Sequence, residues 1–267
     1  MRASLPMYDL PEVRAATDAW WRGLARAFGR AGLHGAPDHL TRGAGALRLW
    51  RTRDLLFSQT CGYPLTHALA GRVRVVATPS YAVPECDGVD YRSLLFVRAD
   101  DPASDLAALR GRVVAINGTD SHSGCNILRT MVAPLTQGVR FFGAGVVSGS
   151  HAASLGLVRR GKADLCAVDC VTHALLARHR PAAVAGLRLL ARSPTAPGLP
   201  YVTAAATEAD NLARLRDGLD EALVHPHLAE ARRTLLISGV RVLPERAYQS
   251  IVAFEQAAER AGCAALA

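Results

Sequence analysis

The chain has 267 residues and a mass of 28.3 kDa, half of it hydrophobic and a fifth charged, enough for one large domain or two modest lobes. No apolar run approaches the roughly 20 residues of a membrane span, so direct membrane insertion is not expected. The net charge of +8 invites a nucleic-acid reading, but Lys162 is the one lysine, the arginines are scattered, and no zinc-finger or RNA-binding signature accompanies them. We expect no nucleic-acid partner; a mildly positive field still favours anionic ligands.

In chain order, RASLPMY reads as a first strand, and Pro11 opens a helix whose Val13, Trp20, Leu24 and Phe28 partly follow a helical period. LLFSQ (55–59) is a buried strand, residues 60–71 a turn into a helix, and VRVVATPSY (73–81) another strand. A loop over 84–88 leads to a strand over 91–101, a short helix over 103–111 and the strand RVVAIN (112–117). A helix is predicted from about Gly124 to Val132, and one over 150–163 with Ser150 as its cap. DLCAVD (164–169) is a strand, CVTHALLARHR a helix, LRLLARSP (187–194) a strand, and YVTAAA a strand after a proline-punctuated loop. The remainder reads as helical, interrupted by a short extended segment at VRVL (240–243). Alternating strands and helices make this an α/β fold.

Three strand-to-helix junctions carry small or polar residues in place of plain turns: SQTCGY (58–63), TDSHSG (119–124) and SGSH (148–151). A fourth, AVDCVTH, puts Asp169 at the C-terminal end of a short strand. In open α/β sheets ligands bind outside the carboxyl ends of strands, where helix N-termini present unpaired N–H groups. In TDSHSG, Ser121 and Ser123 offer hydroxyls, and Gly124 would let a backbone N–H approach an oxyanion. A plain helix cap needs one Ser or Asp, and this segment has more than one. It matches neither a phosphate-binding GxxxxGK[ST] loop nor a GxSxG nucleophile elbow. His151 either packs at a helix entry or faces the ligand. Asp169 either caps the next helix or lines the site, and Tyr63 either packs or covers a ligand.

The six cysteines form no CxxC pair, and Cys166, Cys170 and His173 are too few for a zinc site. No metal or organic cofactor is expected. Buried free thiols are the simplest reading, and a disulfide cannot be paired from sequence. The N-terminal MRASLPMYDLPEV has no apolar signal region, so the expected compartment of the chain as given is the cytoplasm, unless it is a mature form or its start is misassigned.

SLPMYDLP, SQTCGYPL, LRGRVVAIN, the SHSG turn, VSGSHAASLGLVRRGKADLCAVD and APGLPYVT resemble the phosphate/phosphite/phosphonate-type solute-binding proteins of ABC transporters, from about residue 3 to residue 255. The resemblance implies a two-lobed type 2 periplasmic-binding-protein-like fold, with two crossing strands and a central ligand cleft that closes on a small oxyanion. YRSLLFVRA and LPYVTAAA would be the crossings, with residues 1–93 and 203–267 as lobe one and 94–202 as lobe two. The implied ligand residues are Ser121, His122, Ser123, Gly124, His151 and Asp169, together with the aromatics Tyr63 and Tyr91. A periplasmic location and an ABC transporter permease as partner follow from the same resemblance. His122 departs from the usual pattern that the resemblance implies, a turn with Thr or Ser between its two serines.

Two other function classes remain at this point. One is a cofactor- or heterocycle-biosynthetic enzyme on the same scaffold, with His151 or His122 and Asp169 as acid and base and Cys61 or Cys166 as nucleophile. The other is a cytoplasmic sensor whose ligand-bound form is read by a partner.

Overall fold

Short apolar runs become strands and amphipathic stretches become helices, giving a mixed α/β chain. The computed structural model describes residues 1–136 and 138–266. The chain starts with β1 (Arg2–Ser4), α1 (Arg14–Arg30), α2 (Ala46–Trp50), β2 (Leu55–Gln59), α3 (Gly62–Thr66) and β3 (Val73–Tyr81). Then come β4 (Asp90–Tyr91), β5 (Ser93–Arg98), β6 (Val113–Ile116), α4 (Ile127–Val132), β7 (Ala144–Val147) and α5 (His151–Arg159). These are followed by β8 (Leu165–Asp169), α6 (Cys170–His179), β9 (Leu187–Arg192) and β10 (Ala196–Pro197). The last elements are β11 (Tyr201–Ala204), α7 (Ala209–Val224), α8 (Ala229–Thr234), β12 (Ile237–Arg241) and α9 (Gln249–Arg260).

The chain divides into two compact units, one of residues 1–84 and 197–247, the other of residues 85–196 and those from Tyr248 onward. In the first, the sheet order is β1-β2-β11-β3-β12. All five residues of β2 are buried, as a strand covered on both faces requires. Pro11 opens a single 3-10 turn ahead of α1, where its missing N–H costs nothing. Trp20, Trp21, Leu24, Ala27 and Phe28 then give α1 a buried stripe. Leu212, Leu215 and Leu219 do the same for α7. The two helices meet closely at Gly218, where a Cβ would lie 2.7 Å from the Phe28 ring and 3.0 Å from the Ala27 backbone.

The second unit holds the sheet β7-β6-β8-β5-β9. Strand β6 runs parallel to both β7 and β8, while β5 is antiparallel to β8 and β9. The carboxyl ends of β6, β7 and β8 therefore share one edge of the sheet. Its core includes Leu95, Val114, Leu128, Val132, Phe141 and Phe142.

Several expectations need correction. The sequence reading places residues 248–267 with the first lobe, but α9 packs in the second unit. Ala258, Cys263 and Leu266 join that core, and Thr130 donates to the Phe254 carbonyl. Polar anchors add to this: the Arg129 guanidinium lies 2.8 Å from the Glu255 carboxylate, with both side chains largely buried. Strand β5, read as a crossing, lies wholly in the second sheet, and β11 wholly in the first. The first strand stops at Ser4 ahead of Pro6, which has no N–H for a ladder. Residues 103–111 form only the 3-10 turn Ala107–Leu109, and the helix expected over 60–71 is limited to α3. The extended segment at the C-terminal side is β12, which begins three residues earlier than VRVL and pairs with β3.

Candidate functional site

Strand β6 ends at Ile116, and the chain turns through Asn117 to Asp120 before reaching Ser121. Ser121 caps the next element: its backbone is extended and its Oγ accepts the Gly124 N–H at 3.1 Å. What it caps is a wide π-helical turn, His122–Asn126, rather than the α-helix start expected at Gly124. The Asn126 N–H reaches back five residues to the Ser121 carbonyl at 3.0 Å, which widens the turn. The expectation that Gly124 offers its N–H to an oxyanion is thus revised, because Ser121 takes that donor. Glycine is required there for another reason. A Cβ on Gly124 would lie 1.9 Å from Asn117 Oδ1 and 3.1 Å from His151 Cε1.

The second hydroxyl does something different from capping. Ser123 Oγ lies 2.9 Å from Nε2 of His151, the first residue of α5. Ser150 caps α5 through the Ala153 N–H, and Ser148 bonds the Ile116 carbonyl and Ser154, tying the end of β7 to the end of β6. At the end of β8, Asp169 caps α6, its Oδ1 accepting the Thr172 N–H at 2.8 Å. Its other oxygen stands 3.4 Å from His151 Nε2. Three adjacent strand ends thereby bring Ser121, Ser123, Gly124, His151 and Asp169 together, all buried or nearly so.

His151 Nδ1 faces the Ala167 carbonyl at 3.1 Å, and a carbonyl can only accept. The neutral ring therefore carries its proton on Nδ1 and leaves Nε2 as an acceptor for the Ser123 hydroxyl. Burial lowers the imidazole pKa, with Asp169 opposing in part, so the ring is held towards its neutral form. This departs from a serine-hydrolase triad, in which the acid holds Nδ1 and the nucleophile meets Nε2. Here carboxylate and hydroxyl crowd the same nitrogen.

The other expected residues are His122 and Tyr91 in the second unit and Tyr63 in the first. His122 is 1 % exposed, with its ring against Phe254 and edge-on to Tyr91 at 6.4 Å. Tyr91 is itself buried at the end of β4. Tyr63 lies in the first unit, half-buried at the start of α3 and stacked on His67 at 4.0 Å. Cys166 is fully buried and its thiol is pushed well up by that burial, which is wrong for a nucleophile. Sequence reasoning missed Asn117, whose buried Oδ1 faces Gly124, and the Ala167 carbonyl that sets the imidazole tautomer. The position of Asn117 directly after a strand was a usable signal; a backbone carbonyl leaves none.

Gly124→Ala is expected to destabilise the protein by about 1–2 kcal/mol through overpacking against Asn117. Adding Asn117→Ala should return part of that loss, giving a measurable coupling in chemical denaturation. Additive single-mutant effects would show that the two residues do not meet.

The family profile described as "ABC transporter, phosphonate, periplasmic substrate-binding protein" matches residues 51–238. No curated protein matches the chain significantly in sequence. Among solved structures, the chain is similar to a binding protein component of an ABC phosphonate transporter from Pseudomonas aeruginosa, with TM-score 0.79, 16% identity, and coverage of 98% of this chain and 87% of that one. It is also similar to PhnD1 from Prochlorococcus marinus in complex with methylphosphonate, with TM-score 0.76, 14% identity, and coverage of 96% and 97%. A Xanthomonas citri protein bound to chloride ion gives TM-score 0.75 at 16% identity, covering 98% of both chains. These likenesses establish the fold, that of type 2 periplasmic binding proteins. With most of its length matched by the profile, the chain belongs to the family of periplasmic substrate-binding proteins of phosphonate ABC transporters, whose work is solute binding.

Proposed function

We propose that this chain binds a small phosphonate-class oxyanion at the shared ends of β6, β7 and β8, and hands it to an ABC transporter permease in a periplasmic setting. The observation that carries the ligand class is the meeting of the Ser123 hydroxyl and the Asp169 carboxylate at His151 Nε2. On binding, the Ser123 hydroxyl turns its single hydrogen from Nε2 to an oxygen of the anion, which frees Nε2. Nε2 and the carboxylate are acceptors, so they favour a ligand oxygen that still carries a hydrogen. A phosphonate or phosphate monoanion has such a P–OH group, and a sulfonate or sulfate does not. A buried acceptor left facing an anion without a proton is penalised by on the order of 1–3 kcal/mol or more. His122 and Tyr91 support the turn from behind.

The structural match to a methylphosphonate complex agrees with this class. A binder also fits the site better than an enzyme, because the hydroxyl, imidazole and carboxylate lack the order that activates a nucleophile. The test is calorimetry with methylphosphonate and methanesulfonate as matched ligands. At about 100 times its Kd, methylphosphonate should add roughly 2.7 kcal/mol of stability, with no turnover over hours. Equal binding of the sulfonate would remove the acceptor argument. Consumption of the phosphonate would favour an enzyme.

A further inference from the structure

Outside the hydroxyl, imidazole and carboxylate group, two sulfur atoms stand close together. Cys86 Sγ lies 3.5 Å from Cys170 Sγ, although 84 positions separate them in sequence. Both belong to the second unit. Cys170 is the first residue of α6, directly after Asp169, and its N–H is held by the Arg92 carbonyl at 3.1 Å. Cys86 sits in a short link that is fixed on both sides. Glu85 is paired with Arg192 at 2.8 Å, and Asp87 and Asp90 exchange backbone hydrogen bonds. Two anchored thiols at this separation need to close by only about 1.5 Å to reach bonding distance.

We propose that Cys86 and Cys170 form a disulfide, made by exchange with an external disulfide oxidant, that ties the Cys86 link to the first turn of α6 beside Asp169. Cys86 is the attacking sulfur. It is half-buried rather than sealed, and the hydrogen bond from Cys170 favours its thiolate, while the same bond and burial push the Cys170 thiol up. The Cys86 thiolate attacks one sulfur of the oxidant R–S–S–R and expels RS⁻, leaving a mixed disulfide. Cys170 then gives up its proton and attacks Cys86 Sγ, expelling the second RS⁻. In total, two protein thiols and one R–S–S–R yield one protein disulfide and two R–SH. The periplasmic setting of the family is one in which such exchange proceeds and the product persists. The closed ring would run from Cys86 to Cys170 and enclose β4 to β8, so it should stabilise the second unit whatever ligand is bound.

The experiment incubates the purified chain with oxidised glutathione, blocks remaining thiols with iodoacetamide after denaturation, and maps the peptides by mass spectrometry. The expected result is one cross-linked pair joining Cys86 to Cys170, with the other four of the six cysteines alkylated. Dithiothreitol should lower the Tm of the oxidised wild type by several degrees and leave that of oxidant-treated Cys86→Ser unchanged. Glutathione retained on Cys86 alone, a bridge to another cysteine, or six alkylated thiols would each overturn the proposal. If Cys86→Ser fails to fold, the peptide map of the wild type still decides.

Discussion

Ser123→Ala is expected to raise the Kd for methylphosphonate by about 10- to 150-fold, a loss of about 1.5–3 kcal/mol for a hydrogen bond to a charged group. The fold should lose far less. The π-helical turn is capped by Ser121, whose Oγ keeps the Gly124 N–H whether or not Ser123 is present. Only the bond from Ser123 to His151 disappears, a net cost of about 1 kcal/mol. Ser121→Ala should behave in the opposite way, destabilising the protein by about 0.5–2 kcal/mol through loss of the cap. Its effect on binding would then come through displacement of the turn. The two serines, two positions apart, are therefore separable by measuring denaturation and calorimetry on the same variants. Methylphosphonate affinity untouched by Ser123→Ala would place the ligand elsewhere.

This division of labour shows what could be read in advance. The surplus of hydroxyls in TDSHSG was visible in the sequence, and the capping reading holds for one serine, Ser121, while the other, Ser123, meets His151. Strand ends were legible wherever a short apolar run met small polar residues, as at Ile116–Asn117 and Val168–Asp169. The convergence of Ser123, His151 and Asp169 required something more, the parallel pairing of β6 with β7 and β8, which is set by sheet order and not by local pattern. The π-helical turn was not legible, because a hydrogen bond from Asn126 to Ser121 changes no periodicity over so few residues. The placement of α9 was missed for a related reason. Its buried Ile251 and Ala258 announce an amphipathic helix, but an apolar stripe does not say which core it covers. The partners that decide it, Asn126, Thr130 and Arg129, lie more than a hundred positions away.

The burial of His122 beside Asn126 can be read against pH. Its Nδ1 lies 3.2 Å from the Asn126 amide nitrogen, and Arg129 holds the other end of that amide by its oxygen at 2.8 Å. The amide therefore presents its NH₂ to the imidazole, and Nδ1 accepts. Burial lowers the pKa to about 4 from the ordinary 6.5, and protonation at Nδ1 would also set two donors face to face. Below pH 6.5 the unfolded chain takes a proton on this histidine and the folded chain does not. The unfolded state then binds more protons, so stability falls as pH drops through the window from about 6.5 to 4. A shift of this size corresponds to roughly 3 kcal/mol lost by pH 4 relative to pH 7. His151, also lowered by burial, adds a loss of the same sign, and protonating carboxylates contribute below about pH 5. Comparison with His122→Gln removes both contributions, since the variant keeps them while offering Asn126 an amide oxygen in place of Nδ1. The difference in unfolding free energy between wild type and variant should change by roughly 3 kcal/mol between pH 7 and pH 4, in favour of the variant at low pH. Parallel stability curves across that window would mean that the imidazole is protonated in the folded protein. The buried contact with Asn126 would then have to be abandoned.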